Sequence, residues 1–286
     1  MKKLSSMLLM CVSLIALGVT FISCSKDDDD ENSHPNNNTK KYLAEISVKE
    51  YEWKFGERST YGELYELYTY NEKGLLTHSE SHHYNSILEE RWDDSTDYTY
   101  DENGRLIEKN EYDFGILQYK YKYEYNSFDS VSVMYQYSKD GSLTETHKYE
   151  YDNNKRLSVE TEIVNYIRNN YGYIRSYEYK GNIVTVTTTL LEDGSFFYKN
   201  VYEYDNYHNL VKSSYTSSRN GTTTSDVYKF VYDSEGRVIK KTIPTITYGE
   251  KYFDYSYNAD GTIHIIHLSN NYNTSQSDLE YTYTYK

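Results

Sequence analysis

Cysteine is almost missing: the 286 residues hold two, Cys11 and Cys24, both near the N-terminus. Beyond Cys24 the chain forms no internal disulfide, carries no Cys-x-x-Cys redox pair and offers no cysteine ligands for structural zinc. Proline is as scarce, with Pro35 and Pro244 alone. Positive charge is also short. Thirty Lys and Arg face 44 Asp and Glu, a formal net charge of -14. Such a surface repels phosphate backbones and anionic headgroups, so nucleic acid is not expected as a partner. After residue 40 no apolar run is long enough to cross a membrane as a helix. No stretch there keeps helical periodicity over ten residues. Gly-x-Ser-x-Gly, His-Glu-x-x-His and phosphate-loop signatures are absent as well. The expectation is a chain that is not an enzyme, with no cofactor and no metal.

The N-terminus supplies an address. Met1-Lys2-Lys3 is basic, and Met7 to Ile22 is apolar. That run has the length of a signal-peptide core and falls short of the roughly 20 residues of a comfortable membrane span. Phe21-Ile22-Ser23-Cys24 resembles a lipobox, which implies cleavage before Cys24 and acylation of its thiol. Ser25-Lys26-Asp27-Asp28-Asp29-Asp30-Glu31 follows. It resembles the export signal of Bacteroidetes lipoproteins bound for the cell surface, and as a like-charge run it is also a solvated spacer. Asn32 to Thr39 reads as linker. The expected organisation is a signal peptide over 1–23, an acidic and polar tether over 24–40 and one domain over 41–286. The expected location is the outer membrane, lipid-anchored and exposed at the cell surface.

The domain is dominated by tyrosine, 38 in all. The unit Tyr-x-Tyr followed by a turn recurs from Tyr68-Thr69-Tyr70 to Tyr281-Thr282-Tyr283. Its second aromatic returns every 25 to 30 residues, the mark of a repeat architecture. Tyrosines at i and i+2 share one face of a strand, and Thr, Glu or Lys take the other. Asp-x-x-Gly reads as a hairpin turn, with Gly104 and Gly236 at positive φ. A second turn lies midway in most units, as at Ser138-Lys139-Asp140-Gly141. Two strands and two turns per unit of about 26 residues give about 18 strands from Tyr42 to Lys286. The fold class is all-β, a long antiparallel meander.

Tyr100-Asp101-Glu102-Asn103-Gly104-Arg105-Leu106 and Tyr232-Asp233-Ser234-Glu235-Gly236-Arg237-Val238 resemble the tyrosine–aspartate (YD) repeat of the Rhs family. That resemblance implies a sheet wound into a hollow shell, and it spans residues 65 to 286 loosely. With the lipobox and acidic tether, the chain is similar to Bacteroidetes surface lipoproteins of unknown function described as porin-like in fold. Closure of the sheet is what that implies. Open twisted sheets rarely exceed about ten strands, so 18 should curl into a flattened barrel or a spiral. A membrane-spanning barrel is not expected, because Lys and Glu oppose the tyrosines where a lipid-facing band would be.

Candidate site residues are few. Trp92 lies among Glu89, Glu90, Asp93, Asp94 and Asp97. Carboxylates that bind hydroxyls beside a Trp that stacks on a sugar face would make a ligand contact at Trp92, Asp93 and Asp94. The competing reading is a solvated loop with one packed Trp. Trp53, in the first strand, is a further contact or a core residue. His264 and His267, three apart, should point to opposite faces of a strand, as should His82 and His83. The tyrosine face is a sugar platform in one reading and repeat packing in the other. Three functions follow in order: a non-enzymatic binding or adhesion module for glycan or protein, a structural subunit of an outer-membrane assembly, and a polysaccharide hydrolase. The sequence leaves oligomeric state open.

Overall fold

The computed structural model describes residues 41–54, 57–85, 90–165, 171–245, 249–270 and 276–285. Cys24, the proposed leader and tether, and Glu89 lie outside them. One antiparallel sheet contains every described strand. It begins with β1 (Leu43–Lys54), β2 (Glu57–Tyr70), β3 (Leu76–Asn85), β4 (Glu90–Tyr100), β5 (Leu106–Asp113) and β6 (Ile116–Tyr125). It continues through β7 (Val131–Ser138), β8 (Leu143–Tyr151), β9 (Leu157–Val164), β10 (Tyr171–Lys180), β11 (Ile183–Leu190), β12 (Phe196–Tyr204) and β13 (Leu210–Ser217). It ends with β14 (Thr223–Val227), β15 (Lys229–Tyr232), β16 (Val238–Thr245), β17 (Gly249–Tyr257), β18 (Ile263–Asn270) and β19 (Gln276–Tyr285). Each strand except β14 pairs with the next, and β19 returns to pair with β1 from Leu43↔Tyr285 to Trp53↔Gln276. That last ladder makes the sheet a barrel rather than a spiral. One seam stays unsealed: β14 pairs with β13, whereas β15 pairs with β16. The change of partner falls at Tyr228, whose N–H donates to the Val211 carbonyl at 2.8 Å. Joined across Tyr228, β14 and β15 are one strand, which brings the observed 19 back to the expected number.

Alternation sorts the residues cleanly. Among the described residues, all nine buried hydrophobic side chains, including Val48, Leu64, Val186, Ile266 and Tyr281, fall on the tyrosine face. That face is therefore the inner one. Lys49, Glu63, Glu80, Asp93, Lys120 and Lys122 sit on the other. A buried Lys in mid-bilayer costs about 2–4 kcal/mol on a barrel's lipid face, so this outer wall is built for water.

The repeat has a mechanical logic. Asp101 Oδ1 accepts the N–H groups of Asn103 and Arg105 at 2.9 Å each, closing the turn, while Gly104 takes φ 81°. Asp152 and Asp233 do the same for their turns. Where glycine is missing, Lys155 itself adopts φ 61°. Directly after these turns one extra residue bulges from the returning strand: Tyr100 faces Leu106 but Thr99 faces Glu108, and Tyr257 faces Ile263 but Ser256 faces Ile265. The bulge leaves the first carbonyl of that strand beyond the next ladder, and a tyrosine hydroxyl from the following repeat caps it. Tyr100 donates to Leu76 O, Tyr125 to Leu106 O, Tyr151 to Val131 O, Tyr179 to Leu157 O and Tyr257 to Val238 O, at 2.6–2.9 Å. The β10–β11 hairpin has no bulge, and there the backbone N–H of Tyr204 reaches Asn182 O directly. Arginine completes the link: Arg105, Arg156 and Arg237 each bond the Asp of their own turn and lie 4.4–5.0 Å from a Tyr ring of the next repeat.

The bulge also corrects one sequence expectation. His264 is the extra residue opposite Ser256 and Tyr257, so it leans to the outer face with His267 instead of away from it. Its Nε2 lies 3.9 Å from Glu280, while His267 Nδ1 lies 2.6 Å from Asp278.

Candidate aromatic site on the inner wall

One stretch of the inner wall departs from the repeat. At the rim opposite the Tyr-x-Tyr turns, β10 opens with Tyr171-Gly172-Tyr173, a second Tyr-x-Tyr within a single unit, as Tyr119-Lys120-Tyr121 is in β6. Facing it, β12 opens with Phe196-Phe197-Tyr198. The register between β11 and β12 shifts at Thr188/Thr189, which makes Phe197 the extra residue and turns its ring inward. Between them β11 presents Thr188, fully buried and small enough for rings from both sides to meet over it. The result is a belt of five rings. Tyr171 meets Tyr173 edge-on at 6.2 Å, Tyr173 stacks on Phe197 at 5.3 Å, Phe197 meets Tyr198 at 5.3 Å, and Tyr198 meets Tyr215 at 5.7 Å. Both ends are open to solvent, Tyr171 at 49% and Tyr215 at 44% exposure.

Below the belt lies a floor of fixed charge. Arg175 pairs with Glu160 at 3.2 Å and with Glu162. His147 bridges Glu160 at 3.0 Å and Glu145 at 3.1 Å. Tyr177 donates to Glu160 at 2.9 Å. Burial pulls the His147 pKa down, but its carboxylate partners win and hold it above the ordinary value. The His147 hydrogen bond in turn holds Glu160 low. Burial pushes the neighbouring phenol of Tyr149 up to about 12, so it remains a neutral hydrogen-bonding group. Apolar ring faces beside oriented donors and acceptors suit a ligand with ring C–H faces and hydroxyls.

The residues singled out in the sequence divide between the two faces. Trp92 and Asp94 are on the inner wall, where Trp92 stacks on His83 at 5.2 Å. His83 Nε2 lies 3.7 Å from Glu50. Asp94 stands opposite Asp113, and burial, then that like charge, raises its pKa. Asp93 points outward and is held by His82 at 2.7 Å and Arg91 at 2.8 Å. Trp53 is also outside, its Nε1 donating to Asp278 at 2.9 Å. Trp92 therefore shares no site with Asp93, and Trp53 is bound into a different part of the wall. No residue of the belt was singled out in the sequence. The signal was present as two aromatic pairs at the wrong end of the repeat, but the inward turn of Phe197 was not. Among the described residues no group of three or more His, Cys, Asp or Glu side chains is placed to hold a metal ion.

The outer wall carries an acid–histidine ladder. His78 bonds Asp97 at 2.6 Å and Glu80 at 2.9 Å, and His82 bonds Asp93 at 2.7 Å and Glu80 at 3.0 Å. For His78 burial acts downward but the Asp97 and Glu80 bonds prevail, and for His82 the Asp93 bond leads, so both are raised above 6.5. The same bonds lower Glu80 below 4.5 and Asp93 below 3.8. Raised histidines stabilise fully below about pH 6.5, and the effect is lost as pH rises through their folded values. Lowered carboxylates stabilise above about pH 4.5 and fail in acid. Thermal melts should therefore fall between pH 6 and pH 8.5, and His78→Gln with His82→Gln should flatten that fall. An unchanged slope in the double variant would show that the ladder contributes nothing.

No protein-family model matches the chain, and no curated protein matches it. Among solved structures it is similar to a porin-like protein from Bacteroides uniformis ATCC 8492, at 12% identity and TM-score 0.47, covering 85% of this chain and 96% of that one. A porin-like protein from Bacteroides vulgatus ATCC 8482 is similar at 12% identity and TM-score 0.37, covering 69% and 95%. TcdB2-TccC3 without its hypervariable C-terminal region is similar at 12% identity and TM-score 0.29, covering 77% of this chain and 15% of that one.

Proposed function

We propose that this chain is a binding module displayed at the cell surface, held by lipid on Cys24, which takes a carbohydrate on the belt from Tyr171 to Tyr215. The carrying observation is that five rings in contact break the repeat at one rim and leave both ends open. Repeat packing accounts for the tyrosines of the other rim through their carbonyl caps, and it does not account for these. The charged outer wall supports attachment by a lipid rather than by the barrel itself.

A glycan array read with the purified chain and with Tyr171→Ala plus Tyr215→Ala tests this. Bound glycans should weaken about tenfold or more, roughly 1.4 kcal/mol, with little change in melting because both rings are exposed. Equal binding by the variant would remove the belt from the site. In cells producing the full chain, Cys24→Ala should abolish labelling by a palmitate analogue. The assembly reading keeps one observation in its favour: the seam, where all five residues of β14 are exposed. Native extraction yielding a fixed-ratio complex, with no glycan bound on the array, would put that reading first.

A further inference from the structure

We infer that the belt selects uncharged glycans and rejects uronate or sulfated ones, an inference that rests on the carbohydrate-binding reading above. Around the belt, from β8 to β14, the register turns Glu145, Glu160, Glu162 and Asp226 inward. Among the described residues of these strands, Arg175 and His147 are the cations that face inward with them. Arg175 is already committed to Glu160 and Glu162, and His147 to Glu160 and Glu145. The cations of the same strands that stay free of this network, Lys148, Lys180, Lys199 and Lys212, alternate to the outer face. A ligand carboxylate lying across the rings would therefore meet net negative charge on both sides, from the floor at β9 and from exposed Asp226, two residues along β14 from Thr224, the partner of Tyr215. A concave wall of one sign concentrates that field, and at low salt it is poorly screened. A neutral sugar loses nothing to it and gains carboxylate acceptors for its hydroxyls.

The test is affinity electrophoresis of the purified full chain at 10 mM and 150 mM salt. The neutral probes are a soluble β-glucan, a galactomannan and a xyloglucan, and the anionic probes are polygalacturonate and alginate. At least one neutral probe should retard the protein, and both anionic probes should bind at least tenfold more weakly at low salt. The gap should narrow as salt rises. Asp226→Asn, an exposed change that leaves every ring in place, should narrow it further by raising anionic binding. Anionic binding equal to or tighter than neutral binding at low salt overturns the charge selection while leaving carbohydrate binding intact. Retardation by no probe at all overturns the carbohydrate reading and the selection with it.

Discussion

Gly172→Val is expected to destabilise the barrel more than a valine at the turn glycine Gly104. Gly172 is buried in β10, opposite Ile163. A Cβ built there would run into the carbonyl oxygen of Glu162 and come within 3.0 Å of Leu191 Cδ2. The carbonyl belongs to the β9 ladder and cannot swing away as a side-chain tip could. Overpacking of this kind costs about 1–3 kcal/mol, and a rigid obstacle places it at the upper end. Gly104 is different: a Cβ there finds only Leu75 at 3.5 Å, and the cost is the positive φ itself, about 1–2 kcal/mol. Thermal melts of Gly172→Val and Gly104→Val, side by side, separate the two mechanisms. Equal melting of Gly104→Val and wild type would discard the hairpin reading of Asp-x-x-Gly. A Gly172→Val protein as stable as wild type would mean that β9 and β10 do not approach as described.

Removing four hydroxyls should be at least as damaging. Tyr100→Phe, Tyr125→Phe, Tyr151→Phe and Tyr257→Phe together keep every ring and delete four carbonyl caps. Each cap is worth about 1 kcal/mol, so the quadruple variant should lose about 4 kcal/mol and roughly 10 °C in Tm. Tyr204 is the control, since the backbone already satisfies its neighbour at Asn182. Tyr204→Phe should melt like wild type. A quadruple variant that also does so would mean that water serves those carbonyls equally well.

Much of the architecture is legible locally. Tyr-x-Tyr with Thr or Lys between states its own period, and Asp-x-x-Gly states its own turn, because both rest on neighbours in sequence. Ser138 to Gly141 and Asp101 to Gly104 fold as read. The count of about 18 strands missed only the break at Tyr228, where no composition change announces that β14 and β15 part company. Curling of the sheet also followed from the strand number alone.

Placement of side chains was less accessible. Reading His264 and His267 by strict alternation put them on opposite faces, and one bulged residue reversed that. The same device turned Phe197 into the belt. A bulge is set by how two strands settle against each other, so neither strand's sequence reveals it. Asp93 and Asp94 are adjacent in sequence yet end on opposite walls. One is tied to His82 and the other is crowded by Asp113.

The sequence by itself determined an all-β repeat, its turns, its strand directions and the acidic, cysteine-poor chemistry of its surface, since composition and period-2 alternation are properties of the chain. Only the tertiary structure decided that β19 closes on β1, that the tyrosine face is the inner one and that Tyr171, Tyr173, Phe197, Tyr198 and Tyr215 form one belt. Those outcomes depend on contacts between residues tens to hundreds of positions apart. Single-residue register shifts set such contacts, and the alternation of one strand does not contain them.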